Sequence, residues 1–147
     1  MKELPDHIYG PVQQLSEQGE QLVDNDQLEK AKQKYIEALK LLPLPHADWE
    51  AATWLYAAMG DVHYYLGNFE DMMKSFANAV QCPGGLGNPF IHLRLGQAFY
   101  ELGFIEKAAD ELSRAYMGAG EEIFAEEDPK YISFLATKIY MKKMKAS

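Results

Sequence analysis

The side chains able to do chemistry in this 147-residue chain are few and scattered. Histidines stand at His7, His46, His63 and His92. A helical metal site needs two ligands one turn apart, so that both project from one face. No pair of these histidines has that spacing, and none sits beside the lone cysteine, Cys82. His63 and His92 fall on expected helices and read as packing side chains. Cys82 precedes Pro83 with no base placed near it, so nothing activates the thiol. Gly84, Gly85 and Gly87 make a glycine-rich stretch without the Gly-Lys-Ser/Thr ending of a phosphate loop, and it reads as a turn. Glu121, Glu122, Glu126, Glu127 and Asp128 lack the spaced Asp/Asn ladder of a calcium loop and read as a solvated face. Nothing here assembles a nucleophile, a metal set or an acid–base pair. The expectation is a non-enzyme with no cofactor and no metal.

Whole-chain properties point to binding instead. The apolar fraction of 48% is that of a globular protein, and the length suffices for one domain with a sizeable core, residues 1–147. One cysteine rules out an internal disulfide framework. The polar start lacks a signal-peptide core and no apolar run reaches bilayer length, so a cytoplasmic protein is expected. A net charge of −8 with a pI near 4.9 is a poor match for nucleic-acid phosphates, and neither a nucleic acid nor a membrane is expected as partner. The charge favours a basic protein or peptide, which long-range attraction would bring in quickly.

The elements that position these residues are helices throughout. Residues 1–10 read as a lead-in, with Pro11 at the first turn of a helix over about 11–23. Asp26 and Glu29 have capping-box spacing for a second helix to about residue 42, whose stripe is Leu28, Ala31, Tyr35, Ala38 and Leu39. Pro43 and Pro45 stop it. A third helix is expected over about 47–66, with Trp49 on an N-terminal extension. Gly67 ends it and Asn68 can cap a fourth to Val80. Asn88-Pro89 starts a fifth helix that ends before Gly103, and a sixth covers about 104–117. Residues 121–127 fit either an extension of that helix or an irregular turn. Asp128-Pro129 starts a seventh helix, expected over about 129–145 with Ile132, Leu135, Ala136 and Ile139 on one side.

Three helix pairs repeat one spacing. Counted from Ala108, a glycine lies twelve residues before (Gly96), a large side chain four after (Leu112) and an alanine seven after (Ala115). Gly19, Ala31, Tyr35 and Ala38 follow the same offsets, as do Gly60, Met72, Phe76 and Ala79. The glycine fits a close crossing by its partner helix, the alanines fit stacking between units, and the large residue fills the space between. Met72, where the other units have alanine, implies a wider or repacked crossing. With Leu95, Phe99 and Pro43, these residues resemble the tetratricopeptide repeat. The resemblance implies an all-α, right-handed superhelical solenoid of about seven antiparallel helices. Its repeats would span about 12–45, 53–86 and 89–122, followed by a capping helix. The 41 residues between Ala31 and Met72 exceed the family period of about 34, which places the extra turns before the second unit.

The resemblance also implies a function. In this family the first helix of each pair lines a concave groove. Matching positions one by one gives Gln13, Ser16, Glu17, Glu20, Val23 and Asp24 in the first unit. The second gives Trp54, Ala57, Ala58, Asp61, Tyr64 and Tyr65, and the third Phe90, Leu93, Arg94, Gln97, Tyr100 and Glu101. The last helix adds Lys130, Ser133, Phe134, Thr137 and Tyr140. The expected partner-binding set is Glu17, Glu20, Asp24, Trp54, Asp61, Tyr64, Tyr65, Phe90, Arg94, Gln97, Tyr100 and Glu101, acidic at one end and aromatic in the middle. Such a surface selects a basic, partly apolar partner. Part of the aromatic run could instead pack against the last helix. The family's co-chaperones that grip acidic tails use lysines and asparagines in this groove; Ser16, Glu20 and Ala58 stand in those places here, and Arg94 alone matches.

Residues 119–131 resemble the ending of short bacterial repeat proteins found beside polymorphic (Rhs-type) toxins, which implies an immunity protein that neutralises a toxin. Chaperones of type III translocators are similarly short, acidic and three-repeat, which gives the alternative of a secretion chaperone. A self-associating scaffold, its groove filled by its own termini or a second copy, is the third reading.

Overall fold

A computed structural model describes residues 3–139. Among them the order is α1 (Asp6–Asp24), α2 (Leu28–Leu41), α3 (Glu50–Leu66), α4 (Phe69–Val80), α5 (Pro89–Leu102), α6 (Ile105–Ala119) and α7 (Pro129–Ala136), with 3-10 turns at His46–Asp48 and Glu121–Phe124. No strand occurs among the described residues. α1 pairs with α2, α3 with α4 and α5 with α6; α2 then stacks on α3 and α4 on α5.

The repeated spacing is steric. A Cβ at Gly19 would lie 2.6 Å from the Tyr35 ring, and one at Gly96 would lie 2.7 Å from Leu112. At Gly60 it would run into the Phe76 ring. Each hairpin therefore crosses where only glycine fits. Met72 is fully buried, and the crossing at Gly60 still excludes a Cβ, so the second unit is repacked rather than widened. Ala31, Ala38, Ala79, Ala108 and Ala115 are fully buried between units.

The hairpin turns repeat as well. Seven residues after each crossing glycine comes a left-handed residue: Asp26 (φ 60°), Gly67 (φ 77°) and Gly103 (φ 85°). The next N–H then bonds back across the turn, Gln27 to the Leu22 carbonyl (2.8 Å), Asn68 to His63 (2.8 Å) and Phe104 to Phe99 (2.9 Å). These backbone bonds satisfy the last carbonyls of α1, α3 and α5. The Asp26–Glu29 capping box does not form, and the Asn68 side chain makes no cap bond. Asn88 and Asp128 do cap. Asn88 Oδ1 accepts from Phe90 and Ile91 N–H (3.0 and 3.2 Å), and Asp128 Oδ1 accepts from Lys130 N–H (2.9 Å).

Three boundaries differ from expectation. α1 starts at Asp6 and passes through Pro11, which lacks the N–H that would bond the His7 carbonyl. α3 starts at Glu50: Trp49 precedes it, buried, with its indole N–H donating to the Pro43 carbonyl at 2.7 Å. α7 ends at Ala136, where the Thr137 hydroxyl donates to the Phe134 carbonyl. The expected continuation to residue 145 and the groove residue Tyr140 lie outside the described residues.

The linker after α4 is tied down. Cys82 is buried and its thiol donates to the Asn78 carbonyl, while Thr53 donates to the Pro83 carbonyl at 2.7 Å. His92 Nε2 accepts from the Gly87 N–H (2.9 Å), which leaves the ring proton on Nδ1 to be donated to Glu111 at 2.6 Å. His92 is thus a satisfied packing residue.

Candidate partner-binding groove

The concave face divides into an open half built by α1 and α3 and a closed half built by α5, the Glu121–Phe124 turn and α7. The cause is residues 121–139, which fold back over α5. Glu127, expected on a solvated face, accepts from Arg94 Nη1 (2.6 Å) and Gln97 Nε2 (2.7 Å). Arg94 also donates through Nε to Asp61 Oδ1 (3.0 Å) and through Nη1 to Gln97 Oε1 (2.9 Å). Its guanidinium lies 4.8 Å from the centre of the Tyr64 ring and 4.9 Å from that of Phe90. Arg94 is 8% exposed and Gln97 fully buried, so neither presents its polar atoms to a partner as the groove positions implied. Burial opposes the Arg94 charge, but Asp61 and Glu127 outweigh it and raise its pKa. For Asp61 burial wins: its pKa is raised although Arg94 pulls it down.

The rest of the third unit is also engaged internally. Tyr100 meets Tyr131 and Phe134 edge to face, at centroid distances of 5.4 and 5.1 Å. Glu101 accepts from the Tyr131 hydroxyl (2.6 Å) and from Lys130 Nζ (2.7 Å). Burial and the Glu101 bond both hold the Tyr131 proton on. Tyr64, Arg94, Gln97, Tyr100 and Glu101 therefore help to seat α7 and the turn before it.

The other expected residues except Glu17 surround an open cleft of about 500 Å³. Glu20 and Asp24 on α1, Trp54, Asp61 and Tyr65 on α3, and Phe90 on α5 line it. Trp54 and Tyr65 are 50% and 56% exposed, large aromatic surface held open to solvent. Apolar walls come from Val12, Val23, Leu55 and Ala58, and no Lys, Arg or His among the described residues lines the cleft. The acidic field registers on Tyr35 at its floor, whose pKa burial pushes up to about 12 with added effect from Glu20, Asp61 and Asp24. Glu17 is exposed but outside the lining. The arrangement offers contact area and negative charge.

Sequence reasoning missed Tyr9, Glu127 and Tyr131. Tyr9 lines the cleft from a segment read as a lead-in. Its spacing to Val12, Gln13 and Ser16 continues one helical face, a signal that the Gly10-Pro11 break obscured. Glu127 and Tyr131 gave no comparable signal, because their partners lie about thirty residues away.

No family model matches the sequence, and no curated protein does. Solved structures match its shape. The Yersinia enterocolitica type III secretion chaperone SycD, solved with a peptide of the translocator YopD, superposes with a TM-score of 0.68 at 16% identity over 92% of this chain and 94% of that one. The tetratricopeptide-containing C-terminal domain of a Plasmodium falciparum protein described as FK506-binding superposes at 0.71 with 14% identity, over 92% and 91%. The chain has the fold of the tetratricopeptide-repeat solenoids.

Proposed function

We propose that this protein is a non-catalytic interaction module that holds a basic, partly apolar segment of a protein partner in the open half of its groove. The observation that carries the reading is the α1–α3 cleft, lined by half-exposed aromatic rings and carboxylates with no cation among its described lining residues. Trp54, Tyr65 and Phe90 supply area that an apolar side chain would cover. Glu20, Asp24 and the Asp61 carboxylate, whose Oδ1 is held by Arg94, supply the charge that steers and selects.

Of the specific forms, the secretion chaperone has a structural likeness behind it: a protein of nearly the same extent that was solved with a translocator peptide. The immunity form rests on residues 119–131, and in the fold these serve internal packing. Phe124 and Tyr131 are buried and Glu127 holds Arg94.

The test is affinity capture of partners by the full chain, followed by titration of the captured protein. Glu20→Lys with Asp24→Lys should keep the helical spectrum and weaken binding by at least about tenfold, the effect of some 1.4 kcal/mol. Glu37→Lys, on the exposed side of α2, should change nothing. Equal binding by all three proteins at physiological salt contradicts the reading.

A further inference from the structure

We propose that the binding surface continues beyond the cleft into a second acidic pocket, and that the partner segment is bipartite, with two basic clusters separated by an apolar stretch. This rests on the cleft reading above and specifies what the cleft takes.

The second pocket, about 580 Å³, lies between the chain before α1 and the start of α3. Its carboxylates are Glu3, Asp6 and Glu50, and again no Lys, Arg or His among the described residues lines it. The two cavities share Tyr9, Ala51 and Trp54 as common walls. They are therefore neighbouring compartments of one surface. Tyr9 and Trp54, each 50% exposed, form the divide between them. An extended segment crossing this divide would meet three carboxylates, then two aromatic rings, then Glu20, Asp24 and the Asp61 carboxylate that Arg94 already pairs. The matching ligand has a cationic end for each pocket and an apolar middle for the rings. Each cation would act as a separate tether, so the two ends together bind more tightly than either alone.

A simpler role explains part of the second pocket. Asp6 and Glu50 sit in the first turns of α1 and α3, where negative charge favours the helix. That role covers neither Glu3, which precedes the helix, nor the two half-exposed rings between the pockets. It also predicts a different readout, in melting temperature rather than affinity.

The experiment is selection of a displayed library of random peptides on the full chain, followed by titration of a selected peptide and of a form with one basic cluster replaced by serine. The proposal expects selected peptides with two basic clusters flanking apolar residues, and a loss of at least about tenfold when one cluster is removed. For one of the two clusters, Glu3→Gln with Glu50→Gln should bind the complete peptide and the peptide lacking that cluster about equally, near the truncated peptide's wild-type affinity. If the two peptides already bind wild type alike, or the pocket variant shifts only the melting temperature, the bipartite surface is refuted and the cleft stands. If no peptide is enriched, or binding ignores Glu20→Gln with Asp24→Asn, the cleft reading fails and this proposal fails with it.

Discussion

The substitution Gly96→Ala tests whether the repeat signature is a matter of contact distance. The new methyl would lie 2.7 Å from Cγ and Cδ2 of Leu112 and 3.0 Å from its backbone nitrogen. Carbon atoms prefer about 3.5–4.0 Å, so the shortfall is near 1 Å and part of it falls on backbone. Overpacking of this kind costs about 1–3 kcal/mol. Alanine's better helix propensity offsets about 1 kcal/mol. The net loss should be about 0–2 kcal/mol, or up to about 8 °C in melting temperature for a chain of this size. Leu112→Ala alone empties a fully buried site and should cost about 2–5 kcal/mol. In the double variant the methyl added at position 96 enters space that Leu112 has left. The combined cost should then fall below the sum of the singles, by about 1 kcal/mol or more. Urea unfolding followed by circular dichroism on the four proteins gives the coupling. Additivity within about 0.5 kcal/mol, or a Gly96→Ala protein more stable than wild type, would refute the close crossing.

Two further predictions concern buried polar groups. Arg94→Met leaves the Asp61 and Glu127 carboxylates without their cation and should destabilise by about 3 kcal/mol or more, with Arg94→Lys intermediate; a loss under about 1 kcal/mol by urea unfolding would show that the network does not secure residues 121–139. His63 is buried with Nδ1 unbonded among the described residues, and burial lowers its pKa below 6.5, with Lys32 adding to this and Asp71 and Glu29 opposing. A base with a lowered folded pKa stabilises the fold above its unfolded pKa, and that contribution is lost as pH falls. Melting temperature should therefore drop between about pH 7 and pH 5 with a steeper slope in wild type than in His63→Gln; parallel slopes would contradict the assignment.

The crossing glycines and stacking alanines were legible because their signal is steric and local to each repeat. Where a Cβ does not fit, the sequence must show glycine, at the same offset each time. The caps at Asn88 and Asp128 were legible because proline at the first helical position fixes where each helix starts. Asp26 and Asn68 misled because each belongs to the tight turn that ends the preceding helix, where the Gln27 and Asn68 N–H groups bond its Leu22 and His63 carbonyls, and neither side chain makes a cap bond to the next helix. The groove was half legible. The positions matched through the repeat resemblance put Arg94, Gln97, Tyr100 and Glu101 on the same side as Trp54 and Tyr65. A matched position says which way a residue points, and what lies over it is set by the return path of a later segment. That return depends on single long-range pairs such as Arg94 with Glu127 and Glu101 with Tyr131, which leave no periodic trace. Trp54 and Tyr65 keep their exposure because, among the described residues, no later segment covers them.

The most direct measurement is a nitrogen-15 amide spectrum of the full chain titrated with a peptide selected on it. The binding account predicts that the largest shifts fall on Glu20, Asp24, Asp61, Tyr65 and the Trp54 indole, while Glu101, Lys130 and Phe134 in the closed half stay still. Shifts confined to α5–α7, or to the outward faces of α2, α4 and α6, would contradict it.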